Sequence, residues 1–402
     1  MSYSTKLSQN STAVVVWTPP VPSEEFVRSE VENSTGAAYR RSLELAKFER
    51  DHLIATPSHL DPHLDPHTVR RARSRRLGHV LPPLTGPYAV GHLSMQIDGP
   101  QKTRSVGNSE IGIELYAPTG ARDGSCLRLP ERGLETLWSL EQLATLHTHS
   151  RNGIIPITKA PIVIFSHGFG TMPVEYRLLL EESASHGYVV CALNHPATSG
   201  YAPFSQETLE ARTPFLRKLQ RGDPEGFEHE IELLALAQAE NIRFVVEQIQ
   251  NGNGEFGIKL NQLGIPDQII LAGHSFGGTT SIIASRSLPK IAGCINLDGE
   301  LRGPNKTEGL KTPLLTILSD HSTDQEQEIV KRVLQDFMAL RQNSALSWMG
   351  KIEGIGHMDF CITPILKWLI GDDRALQNAL KTHQVTSKAI LTFMKFVSQL
   401  EK

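Results

Sequence analysis

Cysteine is scarce in this 402-residue chain, and charge of one sign is not in large excess. The four cysteines lie far apart, which excludes the close pairs of a metal-binding motif, and a chain of this length does not need a disulfide scaffold. A formal net charge of −3 lacks the basic excess expected of a general nucleic-acid binder. With 39% hydrophobic and 21% charged residues, the composition is typical of a soluble globular protein, and the scattered cysteines fit a reducing compartment.

Long hydrophobic runs are also absent. The first twenty residues, "MSYSTKLSQNSTAVVVWTPP", contain one lysine and an apolar run of only five residues. This run is too short for the core of a signal peptide, and no segment reaches the length of a membrane span. Ser2 excludes N-myristoylation. These absences predict a cytoplasmic protein.

The chain divides into an N-terminal extension over residues 1–85 and a catalytic-size domain over 86–402. The extension is predicted to be partly helical, with a charged helix over 35–53, and partly linker. Its linker part contains a proline- and histidine-rich piece and then an arginine run. The domain that follows begins with short alternating strands, such as "IGIELYAP".

Two side-chain clusters in the extension are candidate binding sites. "HLDPHLDPH" supplies imidazoles and carboxylates, but its prolines impose an extended linker, so we predict no metal site there. "RRARSRR" lacks interleaved apolar anchors, so a solvated linker is favoured; peripheral contact with a lipid surface is the alternative. The side chains concerned are His59, Asp61, His63, Asp65 and His67, and Arg70, Arg71, Arg73, Arg75 and Arg76.

The domain alternates apolar runs with helical patterns. Continuous apolar runs that end in polar turns are typical of parallel strands buried on both faces. The alternation therefore predicts an α/β fold, with a mainly parallel sheet and helices on both faces. Strands are predicted over 160–168, 187–195, 267–273, 291–299 and 312–320, and helices over 226–250, 278–288 and 386–400.

Ser275 lies in "GHSFGG", a Gly-x-Ser-x-Gly pattern between the predicted strand "IILA" and the helix "GGTTSII". A strand, a sharp turn and a helix form the context of a nucleophile elbow. Such a turn needs small neighbours, because side chains there would collide with the strand and the helix. Gly273 and Gly277 meet that need. The alternative is a glycine turn whose serine only caps the helix.

A nucleophilic serine needs a histidine as base, and this base follows the serine in the chain order of α/β-hydrolases. Three histidines follow Ser275: His321, His357 and His383. His321 comes directly after a strand and leaves little room for an intervening acid, and His383 lies in a polar stretch. His357, in the glycine-flanked loop "IEGIGHMDF", is the predicted base.

Two aspartates are candidates for the acid that orients this histidine. Asp298 ends the strand "GCINLD", and Asp320 ends the next strand, "LLTILSD". Counting strands favours Asp320 slightly, and the alternative is that Asp320 caps a helix starting near Thr323. The residues alone leave both open.

An oxyanion that forms during acyl transfer needs two backbone N–H donors. The residue after the nucleophile, Phe276, supplies one. The second is expected from the glycine-rich loop "FSHGFG", where Phe169 would donate its amide. The alternative is a glycine turn that merely leaves the strand.

Taken together, "GPYAVG", "PIVIFSHGFG", "YVVCALNH", "GHSFGG", "NLDG" and "GIGHMDF" resemble the platelet-activating-factor acetylhydrolase family of α/β-hydrolases, in its plasma and type II cytosolic forms. The similarity spans about residues 86–360. It implies a Ser275, His357 and Asp298 triad, and so selects Asp298 over Asp320. It also implies calcium-independent, cofactor-free hydrolysis of short or oxidised sn-2 acyl chains of phospholipids.

Three alternatives to a phospholipid-hydrolysing esterase are kept open. The first is a dienelactone-hydrolase-like or cutinase-like esterase acting on small or polymeric esters, for which Asp320 would be the acid. The second is a peptidase on the same fold, which no feature of the sequence favours. The third is a non-catalytic binding protein, which the presence of all three triad residue types disfavours.

Overall fold

The computed structural model places the second, larger part of the chain in detail. The helix predicted over 35–53, both clusters of the extension, and His321 lie outside the described residues. These are 82–106, 109–120, 126–128, 147–200, 205, 208, 210, 224–303, 305–320, 327–365 and 373–400.

In this part of the chain ten strands form one sheet, in the order β10-β9-β8-β7-β5-β6-β2-β1-β4-β3. From β6 to β10 all neighbours pair in parallel, whereas β2 pairs antiparallel with both β6 and β1. The strands are β1 (Val90–Asp98), β2 (Glu110–Pro118), β3 (Cys126–Arg128), β4 (His147–Asn152), β5 (Ala160–Ser166), β6 (Val189–Asn194), β7 (Gly264–His274), β8 (Gly293–Leu297), β9 (Leu314–Leu318) and β10 (Ser347–Lys351).

Helices cover both faces of the sheet, as the alternation predicts. α2 to α5 pack on one face, and α1 and α6 pack on the other. The helices are α1 (Arg177–Ser185), α2 (Pro224–Asn251), α3 (Gly254–Leu263), α4 (Phe276–Ser287), α5 (Gln327–Asn343) and α6 (Asp373–Leu400), with 3-10 turns at Gln101–Val106, Pro173–Tyr176 and His357–Phe360.

The central strands are apolar on both faces because each face meets a helix layer. In β5, Ile162 and Ile164 belong to the core under α2 to α5, while Val163 and Phe165 belong to the core under α1 and α6. Burial of each such side chain stabilises the fold by about 1.5–3 kcal/mol relative to exposure. Cysteine follows the same pattern: Cys191 is a fully buried free thiol inside its strand, as predicted.

The predicted α/β fold is confirmed, and the differences concern helices. The C-terminal helix begins at Asp373, well before the predicted 386. Its first half buries small and polar side chains such as Ala379 and Thr382, so its apolar period is weak in the sequence. The sequence analysis did not predict α1, α3 or α5. No helix in the described ranges has the length and apolar character needed to cross a bilayer.

Candidate active site

Ser275 occupies the turn between β7, which ends at His274, and α4, which begins at Phe276. Its backbone angles, φ 54° and ψ −124°, lie in a region that side-chain-bearing residues rarely adopt. The turn is held from both sides. The Ser275 N–H donates to Leu297 O at 2.8 Å, and the Gly278 N–H donates to Ser275 O at 2.9 Å. These bonds with the neighbouring strand and helix maintain the strained serine.

Glycine is required at both elbow positions for steric reasons. A Cβ at Gly273 would lie 2.3 Å from the carbonyl group of Gly277. A Cβ at Gly277 would lie 2.0 Å from Ser166 O, at the end of β5. Neither contact can be relieved by rotating a side chain, since both involve backbone. The absent side chains allow the helix to start directly against the strand.

Ser275, His357 and Asp298 form one hydrogen-bonded chain. His357 Nδ1 lies 2.7 Å from Asp298 Oδ2, and His357 Nε2 lies 2.9 Å from Ser275 Oγ. Because a carboxylate only accepts, Nδ1 carries the hydrogen and Nε2 accepts from the serine hydroxyl. The Asp298 side chain is 2% exposed and the His357 side chain 26%. The imidazole is therefore oriented from the buried side and open towards solvent.

Asp298 is held in place by the neighbouring strand end. Its backbone has φ 54°, and its N–H donates to Ile317 O at 2.7 Å. Ser319 donates to the carboxylate twice, from its backbone N–H to Oδ1 at 2.9 Å and from its hydroxyl to Oδ2 at 2.5 Å. With the bond from His357, the carboxylate accepts three hydrogen bonds, and its position is over-determined.

Asp320, the other candidate acid, contacts the residues that precede His357. Its carboxylate accepts from Lys351 Nζ at 3.2 Å and from the Gly354 N–H at 2.9 Å. Its own N–H donates to Ile355 O at 2.9 Å. We call residues 352–357 the base loop. Asp320 therefore binds the backbone of this loop, whereas Asp298 binds the imidazole of His357.

Phe169 and Phe276, the predicted oxyanion donors, lie side by side next to Ser275. Their rings meet edge to face with centroids 5.7 Å apart. A Cβ on Gly168 would lie 3.1 Å from Ser275 Cβ, so the loop of residues 165–170, the oxyanion loop, passes close to the serine. Within the described part of the chain, the Phe169 and Phe276 N–H groups have no hydrogen-bond partner. Two amides are thus free to bind an oxygen.

Buried imidazoles support the oxyanion loop from beneath. His167 Nδ1–H donates to Gly168 O at 2.7 Å, and its Nε2 accepts from the His195 N–H at 3.0 Å. The His195 ring in turn accepts from Asn241 at 3.3 Å. Burial lowers the pKa of His167 to about 4 and the pKa of His195 well below its usual value. Both rings are therefore neutral hydrogen-bonding parts of the core at neutral pH.

The sequence analysis missed two polar residues, of which Tyr176 contacts the oxyanion loop and His274 contacts the base loop. His274 lies within the elbow motif itself, and its ring packs on that of His357 with centroids 4.6 Å apart. Tyr176 ends the 3-10 turn after the oxyanion loop and is 1% exposed. A buried histidine beside the serine was a signal in the motif. Tyr176 belongs to no motif, and only the fold brings it to the site.

No group of three or more His, Cys, Asp or Glu side chains with the arrangement of a metal site occurs among the residues that the structure describes. The histidines and aspartates of "HLDPHLDPH" lie outside them.

A family model described as "Platelet-activating factor acetylhydrolase, isoform II" matches residues 142–402, well over half of the chain. The chain belongs to this family. The matched stretch contains both loops of the site, the serine elbow and the strand ends that carry the two aspartates.

Curated relatives of this platelet-activating factor acetylhydrolase family member are distant. The chain is 28% identical over 237 residues to a platelet-activating factor acetylhydrolase of Bos taurus, a match that covers 50% of this chain and 51% of the relative. For the Canis lupus familiaris protein of the same name, identity is 25% over 236 residues, covering 51% of each. The chain thus spans about half the length of the curated relatives it matches.

Among solved structures, a ferulic acid esterase from Streptomyces cinnamoneus superimposes with a TM-score of 0.60 at 24% identity. The match covers 78% of this chain and 91% of the esterase. At this identity the comparison bears on the fold alone, and it supports the α/β-hydrolase architecture.

Proposed function

We propose that this protein is a serine esterase in which Ser275 is the nucleophile, His357 the general base and Asp298 the acid that orients it. The observation that carries the proposal is the chain of two hydrogen bonds, 2.9 Å and 2.7 Å long, from Ser275 through His357 to Asp298. A serine hydroxyl is a weak nucleophile unless such a base is in contact with it.

In the proposed reaction Ser275 Oγ attacks the ester carbonyl carbon while His357 Nε2 takes its proton. The carbonyl oxygen becomes an oxyanion, which the N–H groups of Phe169 and Phe276 stabilise; removal of one such donor typically costs about 10²–10³ in kcat. The intermediate then collapses, the alkoxide leaves with the proton from His357, and an acyl-serine remains. Water, activated by the same histidine, hydrolyses that ester and frees Ser275. Every step uses groups of this chain.

The substrate class that we propose is phospholipids with short or oxidised sn-2 acyl chains, cleaved without calcium. Membership of the platelet-activating factor acetylhydrolase family supports this class, as does the name of the curated relatives. Ester hydrolysis releases a fatty acid and a lysophospholipid. Contact with a lipid surface through the arginine run of the extension stays the alternative to a solvated linker.

A hydrolysis panel tests the proposal. It compares short-chain nitrophenyl esters, a small aromatic ester, and phospholipids with acetyl, oxidised or long sn-2 chains, each with and without a chelator. We expect turnover of the acetyl and oxidised phospholipids at rates unchanged by the chelator. Ser275→Ala is expected to remove turnover on every substrate and labelling by a fluorophosphonate.

The matched control is Ser285→Ala. Ser285 lies in α4, the helix that follows Ser275, and its buried hydroxyl donates to Ile282 O at 2.8 Å. This variant is expected to keep wild-type turnover. Hydrolysis that survives in Ser275→Ala would refute the proposed nucleophile. Turnover of the nitrophenyl and aromatic esters without any phospholipid turnover would leave an esterase and refute the lipid substrate.

A further inference from the structure

The Tyr176 hydroxyl lies where the oxyanion loop meets the serine elbow. It accepts from the Gly168 N–H at 3.2 Å, and the Thr171 hydroxyl lies 2.9 Å away. It also lies 2.8 Å from His274 Nδ1. One buried hydroxyl thus contacts the residue before Phe169 and the residue before Ser275.

The hydrogen positions follow from what each partner can do. His274 Nε2 lies 2.9 Å from the backbone oxygen of His357, and a carbonyl oxygen only accepts, so Nε2 carries the hydrogen. His274 is 1% exposed, and burial lowers its pKa to about 3, so the ring is neutral and its Nδ1 is an acceptor. The Tyr176 O–H therefore donates to Nδ1.

These bonds make a directed chain from one loop to the other. It runs from the Gly168 N–H to Tyr176, from the Tyr176 O–H to His274, and from His274 Nε2–H to the His357 carbonyl. Gly168 precedes one oxyanion amide, and His357 is the base. The chain passes through His274, the residue before Ser275, and connects the two loops proposed to act on one substrate carbonyl.

We propose that Tyr176 and His274 are positioning residues, which hold the oxyanion amide of Phe169 and the imidazole of His357 in register around Ser275. This inference rests on the proposed function. Donation by Tyr176 keeps His274 in the tautomer that binds the base loop. Without it the buried Nδ1 of His274 has lost its donor, and a ring that shifts to reach another partner moves the base loop bonded to its Nε2. Misplacement by about 1 Å can cost about a hundredfold in rate.

A positioning role differs from simple structural support in its kinetic signature. The oxyanion bonds form only with the reacting oxygen, so their misplacement lowers kcat and leaves KM nearly unchanged. A thionoester puts sulfur, a poor hydrogen-bond acceptor, where the oxyanion forms. It therefore gains little from the amides, and the ratio of kcat for an oxygen ester to kcat for its thiono analogue reports the quality of the oxyanion site.

The experiment compares Tyr176→Phe, His274→Gln and the double variant in the full chain. A glutamine amide reaches the place of the histidine Nε2, so it can still donate to the His357 carbonyl but no longer accepts from Tyr176. We expect Tyr176→Phe to lose about tenfold to a hundredfold in kcat, with KM within about twofold. Its oxygen-to-thiono ratio should fall as well. The double variant should lose less than the sum of the two single losses, since both changes break the bond between Tyr176 and His274.

Tyr116→Phe is the matched control. Tyr116 is also fully buried in the same core cluster, but its hydroxyl accepts from Arg177 Nε at 3.1 Å, away from both loops. We expect it to lower the thermal midpoint without changing kcat or the oxygen-to-thiono ratio. If Tyr176→Phe fails to fold, His274→Gln provides the same two readouts.

Wild-type kcat and ratio in a folded Tyr176→Phe or His274→Gln variant would overturn the inference. So would losses that add in the double variant, or an equal loss in Tyr116→Phe. Ser275→Ala separates these outcomes from failure of the proposed function: if that variant is inactive while the Tyr176 and His274 variants equal wild type, only the positioning inference fails. If Ser275→Ala is active, the esterase mechanism itself is wrong.

Discussion

The loop after β8 and the loop after β9 begin alike: each leaves a buried parallel strand, and an aspartate follows within two residues. Asp298 comes directly after Leu297, and Asp320 follows Leu318 by two positions. Asp298 contacts His357 at 2.7 Å, whereas Asp320 contacts Lys351 and Gly354 at the foot of the base loop.

The difference comes from the backbone. Asp298 has φ 54°, and the two donors of Ser319, at the neighbouring strand end, anchor its carboxylate. Asp320, at the same edge of the sheet, instead accepts from the base loop itself. One aspartate therefore meets the imidazole, and the other meets the segment that carries the imidazole. Both carboxylates lie near His357 at the same edge of the sheet, so proximity does not decide which one hydrogen-bonds to the imidazole. The local backbone direction and the hydrogen-bond donors around each carboxylate decide it.

Asp298→Asn should have the largest effect. An asparagine keeps the shape but can present an N–H to His357 Nδ1, which favours the tautomer that cannot accept from Ser275. We expect kcat to fall by about 10³–10⁴ with little change in thermal midpoint, by analogy with the same change in serine proteases. Kinetics on a nitrophenyl ester measure it. Activity near that of wild type would reverse the roles of the two loops.

Asp320→Asn should have a smaller effect on activity, lowering kcat by less than about tenfold. Its main effect should be on the stability of the fold. It removes the charged partner of Lys351, whereas the amide oxygen can still accept from Gly354. The loss in unfolding free energy should be about 1 kcal/mol, because a partly exposed ion pair contributes little.

Asp336→Asn is its control, since it removes a remote ion pair with Lys306 at 2.6 Å. The control should change stability alone. A thousandfold loss of kcat in Asp320→Asn would make Asp320 the acid and favour the dienelactone-hydrolase-like alternative.

Ser319→Ala sharpens the comparison further, because it removes the hydroxyl that distinguishes the surroundings of Asp298. The backbone N–H of residue 319 still donates, so the carboxylate keeps two of its three hydrogen bonds. We expect kcat to fall by about tenfold, as a bond to a charged group contributes about 1.5–3 kcal/mol. Ser183→Ala, which removes a buried hydroxyl bonded to Leu179 O, is the control and should leave kcat unchanged.

Glu175 extends the contrast to a third carboxyl, which is buried, and its effect is on stability. One donor, the Met172 N–H, lies 2.9 Å from Oε1, and burial raises the pKa of Glu175 to about 8. The folded state thus keeps a proton that the unfolded state releases near its ordinary pKa of 4.5, so stability is lost as pH rises through about 8.

Glu175→Gln should therefore raise the thermal midpoint by several degrees at pH 9 and hardly at pH 5. Thermal denaturation at both pH values measures this. An equal shift at the two pH values would mean that the carboxyl is not protonated in the folded state.

Ser275 and His357 could be predicted as nucleophile and base from the sequence because each lies in a short pattern with its own physical reason. The elbow needs glycines against a strand and a helix, and those residues are adjacent in the chain. Phe169 was predicted as an oxyanion donor in the same way, from a glycine loop after a strand. The choice between Asp298 and Asp320 came from family resemblance, because both follow buried strands and spacing does not separate them.

Tyr176, His274 and Ser319 had no role in the sequence analysis. Ser319 comes two residues before His321 and 38 before His357, and Tyr176 lies 99 residues before Ser275. Their contacts form only when parallel strands bring their carboxyl ends to one edge of the sheet. The start of the C-terminal helix was missed for a related reason: its first half packs with small and polar side chains, which leave no clear apolar period.

The local pattern of the chain determined the alternation of buried strands and helices, the place of the serine elbow and the loop of the base, because each depends on neighbouring residues. The tertiary structure alone decided which aspartate contacts His357 and which polar groups link the oxyanion loop to the base loop. Those are hydrogen bonds a few ångströms long between distant parts of the chain, and they depend on backbone direction at strand ends, which side-chain patterns do not encode.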